Sequence, residues 1–288
     1  RLHLPTLLKI LDSLLNCPEL LCEHLCLAQA LARSGEEVAF VDCDVEEPNG
    51  HIFLRPQIIE SREVAVRVPV IDHDRCTGCG KCREICKYNA IAVVKEKAIV
   101  FEDLCHSCGG CALVCPENAI SEKEKAIGTI ERGKSEEIAF ARGVLNVGEP
   151  SPTGLIKAVK KSLKRGITIF DSPPGTSCPV IATVKDCDYC VLVTEPTPFG
   201  LYDLDLMVAV AEELDLRSGI VINKDTAWGK EVEKYARGKN IPILMKIPLK
   251  REIASMYSKG ISLCDGDRHW QQEFENLYMR IIELCKHQ

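Results

Sequence analysis

The chain has 288 residues, 46% of them hydrophobic and 27% charged, with a mean hydropathy of −0.01. That suits one large α/β domain or two modest ones and excludes a largely disordered, collagenous or membrane-embedded chain. Lys and Arg number 36 against 42 Asp and Glu, a net charge of −6, which argues against the basic footprint of a nucleic-acid binder. Seventeen cysteines are the anomaly, and their spacing decides whether they pair as disulfides or hold metal.

In chain order, residues 4–15 are apolar but are interrupted by Pro5, Lys9 and Asp12, too short a run to span a bilayer. No basic segment followed by an apolar stretch and a small-residue cleavage site marks the chain for export, so a reducing, cytoplasmic setting is expected. Residues 25–34 (LCLAQALARS) have the spacing of an amphipathic helix ended by Gly35, and 38–41 (VAFV) read as a short buried strand closed by Asp42.

From about residue 66 the pattern changes to a Cys/Gly-rich stretch that runs to about 122 and contains a repeat of period 29. Cys76, Cys79, Cys82, Cys86, Ala90 and Ile91 recur as Cys105, Cys108, Cys111, Cys115, Ala119 and Ile120. The charged segment 122–137 (EKEKAIGTIERGKSEE) reads as a linker or surface segment. Beyond it, strand-like ITIF (167–170), YCVLV (189–193), GIVI (219–222) and PILMKI (242–247) alternate with helical spacing near 154–164, 200–215, 229–238 and 269–285. The expected architecture is a doubly wound, mostly parallel α/β domain formed by 1–65 and 123–288, with a small α+β domain, 66–122, inserted into it.

Eight of the cysteines fall between Cys76 and Cys115 in two runs of C-x-x-C-x-x-C-x-x-x-C. Thiolates so close on tight loops can face one centre, which separate disulfides do not require. Structural zinc sites use two separated C-x-x-C pairs, so iron–sulfur ligation is the better reading. The second run closes with Cys115-Pro116 and resembles the bacterial ferredoxins with two 4Fe-4S clusters. In that pattern the fourth cysteine of each run ligates the other cluster. The resemblance therefore implies one set of Cys76, Cys79, Cys82 and Cys115, and another of Cys105, Cys108, Cys111 and Cys86. Gly78, Gly80, Gly109 and Gly110 let the ligand loops turn tightly, and His106 is expected beside a cluster as a loop residue.

Outside the insertion, VDCDVEEPN (41–49) and FDSPPG (170–175) each follow a strand, and carboxylates at strand ends line the crevice where α/β sheets bind ligands. Either segment alone is as readily a turn or cap. Together and in order, with GIVIN ending at Asn223 and EPTPFGLYDL at 195–204, they resemble the MinD/Mrp/ParA branch of the P-loop ATPases, in the subgroup with an inserted ferredoxin domain. The resemblance implies that Asp42 and Asp44 handle the attacking water and Mg²⁺, that Asp171 and Gly175 belong to the Walker B and switch II segment, and that Asn223 faces an adenine. It further implies ATP and Mg²⁺ as cofactors beside the two clusters, a homodimer, and a redox or metallocluster-assembly protein as partner.

One departure is large. The family places K-G-G-x-G-K-T-T about a dozen residues before LCLAQALA, to hold phosphates on backbone N–H groups with a Lys for charge. Residues 10–25 contain neither Gly nor Lys. The chain is then either a member without the loop or one whose first 24 residues carry a reading-frame error, and ATPase activity stays open. The spare cysteines read as Cys190 buried in an apolar strand, a pair Cys187/Cys190 less expected as ligands, and Cys178 near the crevice; Cys17, Cys22 and Cys26 carry no argument. The apolar stripe Phe274, Leu277, Tyr278, Ile281 and Leu284 is flanked by acidic residues that an anionic membrane would repel, so it is expected to pack on the sheet.

Overall fold

The computed structural model describes residues 7–12, 22–163 and 166–286, in two compact units. Unit 1 contains the chain up to Ser61, Ile130–Val144 and Ile156 onward; unit 2 contains Arg62–Thr129 and Leu145–Leu155. In chain order the elements are β1 (Leu7–Asp12), α1 (Cys22–Arg33), β2 (Val38–Asp42), α2 (Gly50–Leu54), β3 (Gln57–Ile71), α3 (Lys81–Ile85), β4 (Ile91–Val94) and β5 (Lys97–Val100). There follow α4 (Gly110–Leu113), β6 (Ile120–Ser135), β7 (Ile138–Leu145), α5 (Thr153–Ser162), β8 (Ile167–Asp171), α6 (Cys178–Val184), β9 (Tyr189–Thr194) and α7 (Pro198–Glu213). The chain closes with β10 (Ser218–Asp225), α8 (Gly229–Lys239), β11 (Ile243–Pro248), α9 (Arg251–Tyr257), α10 (Leu263–Gly266) and α11 (Arg268–Lys286).

The large sheet has the order β11-β10-β9-β1-β8-β2-β7-β6-β3. Ladders β10/β11, β9/β10, β1/β9, β1/β8, β2/β8 and β2/β7 are parallel, while β6 and β7, joined by two residues, form a hairpin. Strands β2, β8 and β9 are buried at every position, as strands covered by helices on both faces must be. Their alternation sorts side chains into two cores. Tyr189, Val191 and Val193 join α1, α9, α10 and α11, whereas Cys190 and Leu192 join α6, α7 and α8. Phe274, Leu277, Tyr278 and Ile281 are buried in the first of these, and Leu284 remains 38% exposed.

The strands read from sequence at 38–41, 167–170, 189–193, 219–222 and 242–247 occur as β2, β8, β9, β10 and β11, and the five helices as α1, α5, α7, α8 and α11. The linker reading of 122–137 is corrected: these residues lie mostly in the 16-residue strand β6. Its charges are neutralised by neighbours, which the one-dimensional pattern cannot reveal. Glu131 pairs with Arg142 of β7 at 2.7 Å and Arg132 with Glu60 of β3 at 3.0 Å, while Ile127 and Ile130 are buried. The 15-residue β3 was likewise not apparent in the sequence. Residues 7–12, apolar but broken, form β1 at the centre of the sheet, between β8 and β9.

Unit 2 has a small core of Cys82, Ile91, Ala98 and Cys111, flanked by Ile71, Cys76, Val93, Val100 and Ile120. Its β4–β5 hairpin is antiparallel, with Ile91 opposite Val100. Lys95 and Glu96 at its tip both have positive φ, the backbone that a two-residue hairpin turn with the twist of its strands requires.

Candidate metal centre and strand-end crevice

In unit 2, Cys76, Cys79, Cys82 and Cys115 line one small pocket of about 20 Å³, walled also by Ile71, Val93, Ala98 and Ile120. Three of these cysteines come from the first copy of the repeat and the fourth from the second, so the fold brings together the set expected from sequence. Among the described residues no three His, Cys, Asp or Glu side chains converge as on a single metal ion. The four cysteines instead line one pocket together, and an all-thiol donor set is the chemistry that an iron–sulfur cluster takes. In the other set, Cys105 and Cys86 are half-buried, Cys108 is exposed and Cys111 buried.

Backbone N–H groups reach the sulfurs: Ala90 N donates to Cys86 Sγ and Ala119 N to Cys115 Sγ, both at 3.3 Å, and Ser107 N to Cys105 Sγ at 3.4 Å. The repeat thus reproduces the same donor at both fourth cysteines, and such bonds stabilise negative sulfur. Burial pushes the Cys111 thiol up to about 11 and raises Cys82 as well. These thiols stay protonated at neutral pH until a cation replaces the proton, so loading the site releases protons. Gly78 has φ +69, and a Cβ there would lie 2.3 Å from the Glu96 carbonyl oxygen; the first ligand loop presses against the β4–β5 turn, where only glycine fits.

The second group of candidates lies in unit 1, at the C-terminal ends of the parallel strands. Asp42 of β2 and Asp171 of β8 are register partners, so adjacent strands deliver two carboxylates to one edge. Asp42 is fully buried and closes the loop that follows it: Oδ1 accepts from Asp44 N at 3.1 Å, and Oδ2 from Asn49 N at 3.1 Å and Gly50 N at 3.0 Å. Burial, with Asp171 beside it, pushes the Asp42 carboxyl well above the usual range. The same two causes raise Asp44 to about 6. Gly175 has φ +88 and open space around its α-carbon.

His24 of α1, which the sequence did not single out, completes this cluster. Its Nδ1 lies 2.9 Å from Asp171 Oδ1, with side chains only 1% and 6% exposed. A lone histidine in an atypical stretch carries no sequence signal; only the packing of α1 over the strand ends places it there. Asn223, at the end of β10, is 1% exposed. Its Oδ1 accepts from Lys224 N at 2.8 Å, and its Nδ2 has no hydrogen-bond partner among the described residues. Nearby, Lys224 Nζ lies 2.8 Å from Glu195 Oε1. Because β1 has β8 on one side and β9 on the other, successive strands diverge about it, and the ends of such strands form the ligand crevice of open α/β sheets. Of residues 10–25, where the phosphate loop is expected, 13–21 lie outside the described residues, and Cys17 with them. Cys190 is fully buried, Cys187 half-buried and Cys178 exposed at the start of α6.

Comparison with known proteins finds matches for the inserted domain and for the fold of the whole chain. Residues 75–120 match the model of the 4Fe-4S dicluster domain. The septum site-determining protein MinD of Pyrococcus horikoshii, solved with Mg-ADP, superimposes with a TM-score of 0.60 over 96% of each chain at 18% identity. The molecule is thus an iron–sulfur protein built on a MinD/ParA-type fold, with a ferredoxin-like domain inserted. Two uncharacterized proteins of Methanocaldococcus jannaschii align along most of the chain. MJ0578 is 32% identical over 263 residues, 90% of both chains, and MJ0579 is 32% identical over 246 residues, 83% of this chain and 86% of its own. The chain belongs to the same family as these two proteins.

Proposed function

We propose that this protein carries two 4Fe-4S clusters for low-potential electron transfer or metallocluster assembly, and that the strand-end crevice ties this work to a nucleotide. The observation that carries the reading is the cavity shared by Cys76, Cys79, Cys82 and Cys115, an all-thiol donor set drawn from both copies of a repeat. The second set is Cys105, Cys108, Cys111 and Cys86. When bound, such clusters supply one-electron chemistry at potentials set by hydrogen bonds to sulfur and by solvent exposure. The chain's part is to hold the thiols, to present N–H donors from Ala90, Ala119 and Ser107, and to keep one face of the first site apolar. In the crevice, Asp44 and Asp171 would take Mg²⁺ and the attacking water, the unpartnered amide of Asn223 would meet a base, and Asp42 would hold the loop that carries Asp44. A homodimer and a redox or assembly partner follow from the same reading.

A second reading, an electron carrier indifferent to ATP, is favoured by one specific feature. Residues 10–25 offer neither Gly nor Lys, so the backbone nest and the cation that normally offset triphosphate charge have no source there, beside an edge already rich in carboxylates. The experiment is anaerobic reconstitution, analysis of iron and sulfide, and a redox titration with and without MgATP. About eight irons with matching sulfide and potentials that move with MgATP support the nucleotide-linked form. The same clusters with unmoved potentials and no nucleotide binding support the carrier, and a colourless protein or one holding zinc overturns both.

A further inference from the structure

We propose that the stacked rings of Tyr88 and His106 form a clasp that preorganises the cysteine set Cys86, Cys105, Cys108 and Cys111, making it the set that holds its iron longer. This rests on the dicluster reading above. The ring centroids lie 3.6 Å apart with planes within 8° of parallel. Tyr88 follows Cys86 by two residues and His106 follows Cys105 by one. The stack therefore ties together the two loops, remote in sequence, that must meet to form this set.

The repeat supplies an internal control. Moved by 29 residues, Tyr88 corresponds to Glu117, and His106 to Thr77. That pair stands beside Cys115 and Cys76 of the other set and cannot stack. The first set is organised instead by the apolar wall of its cavity, from Ile71, Val93, Ala98 and Ile120. Tyr88 is 44% exposed, so filling the core does not explain it. A contact that fixes both loops in the iron-free chain removes disorder that metal binding would otherwise have to remove, and so strengthens retention of whatever the loops hold. Tyr88 and His106 act as positioning residues, not as ligands.

The test uses the full chain, reconstituted anaerobically and then exposed to an iron chelator, with iron release followed by absorbance and the remaining cluster by electron paramagnetic resonance after reduction. Two phases of about four irons each are expected from the unaltered chain. Tyr88→Ala should accelerate the slow phase alone, by several-fold, whereas Tyr88→Phe, which keeps the ring, should leave it slow. The double variant Thr77→His/Glu117→Tyr, which transplants the stack to the other set, should slow the fast phase. A single phase in the unaltered chain, both phases hastened together by Tyr88→Ala, or no rescue by Tyr88→Phe would overturn the clasp. If Tyr88→Ala cannot be loaded at all, the double variant decides: an unchanged fast phase overturns the proposal, and a slowed one upholds it. An unaltered chain that takes up no iron and sulfide is a distinct result, the failure of the dicluster reading itself.

Discussion

Asp44 shows how a single residue couples the crevice to pH. Its carboxyl, ordinarily near 3.8, is raised to about 6 by burial and then by Asp171. The folded state thus binds the proton more tightly than the unfolded chain, and its stability falls as pH rises from about 4 through about 6, levelling above. Asp44→Asn removes this liability. Its melting temperature at pH 7 should exceed that of the unaltered chain, and its decline between pH 5 and pH 7 should be shallower; parallel pH profiles for the two proteins would count against the shift. Gly78 gives a second prediction at this scale. With φ at +69 and the Glu96 carbonyl oxygen only 2.3 Å from where a methyl group would sit, Gly78→Ala must displace the loop bearing Cys76 and Cys79. Iron content should drop from about eight towards about four per chain, whereas Gly80→Ala, where the added carbon meets nothing within 4 Å, should cost less.

Among the elements, β6 departs most from its reading in the sequence. Had 122–137 been a solvated linker, Ile130→Ala would change stability by no more than about 0.5 kcal/mol. Ile130 is only 1% exposed in the strand, and the truncation should cost about 2–5 kcal/mol in denaturant unfolding. Helix α6 is held at its far end by a lysine from another element. Lys160 Nζ of α5 donates to the carbonyls of Ala182, Thr183 and Lys185 at 3.2, 2.7 and 2.7 Å. A cation on carbonyls at a helix C-terminus is stabilising through both hydrogen bonds and the helix dipole. Lys160→Met, which keeps the aliphatic stem, should lower stability by about 1–2 kcal/mol, read from thermal or chemical denaturation. Helix α7 starts at Pro198, ahead of its 200–215 reading in the sequence, because Thr197 caps it, accepting from Gly200 N at 3.0 Å, with Pro198 in the first turn.

For the whole molecule, the two units differ in what sustains them. Unit 1 has broad apolar cores on both faces of its sheet. The core cluster of unit 2 among the described residues is smaller, and two of its four buried members, Cys82 and Cys111, belong to the proposed cluster sets. With candidate cluster cysteines making up half of that cluster, iron bound there would add folding energy to unit 2. Removing iron should therefore abolish amide-exchange protection in β4 and β5 while leaving β2, β8 and β9 protected. Equal loss in both units, or none in either, would count against this division of stability.

Sequence by itself determined the alternation of strands and helices, the presence of an insertion, and the paired cysteine runs, because each is written in local patterning: short apolar runs, period 3.6 and period 29. Tertiary structure alone decided three things. It put a broken apolar segment, Leu7–Asp12, at the centre of the sheet, made a strand of the charged segment by giving Glu131 and Arg132 partners on neighbouring strands, and set His24 against Asp171. Each depends on residues distant in the chain, and a charge or a histidine acquires its role only from what the fold places beside it.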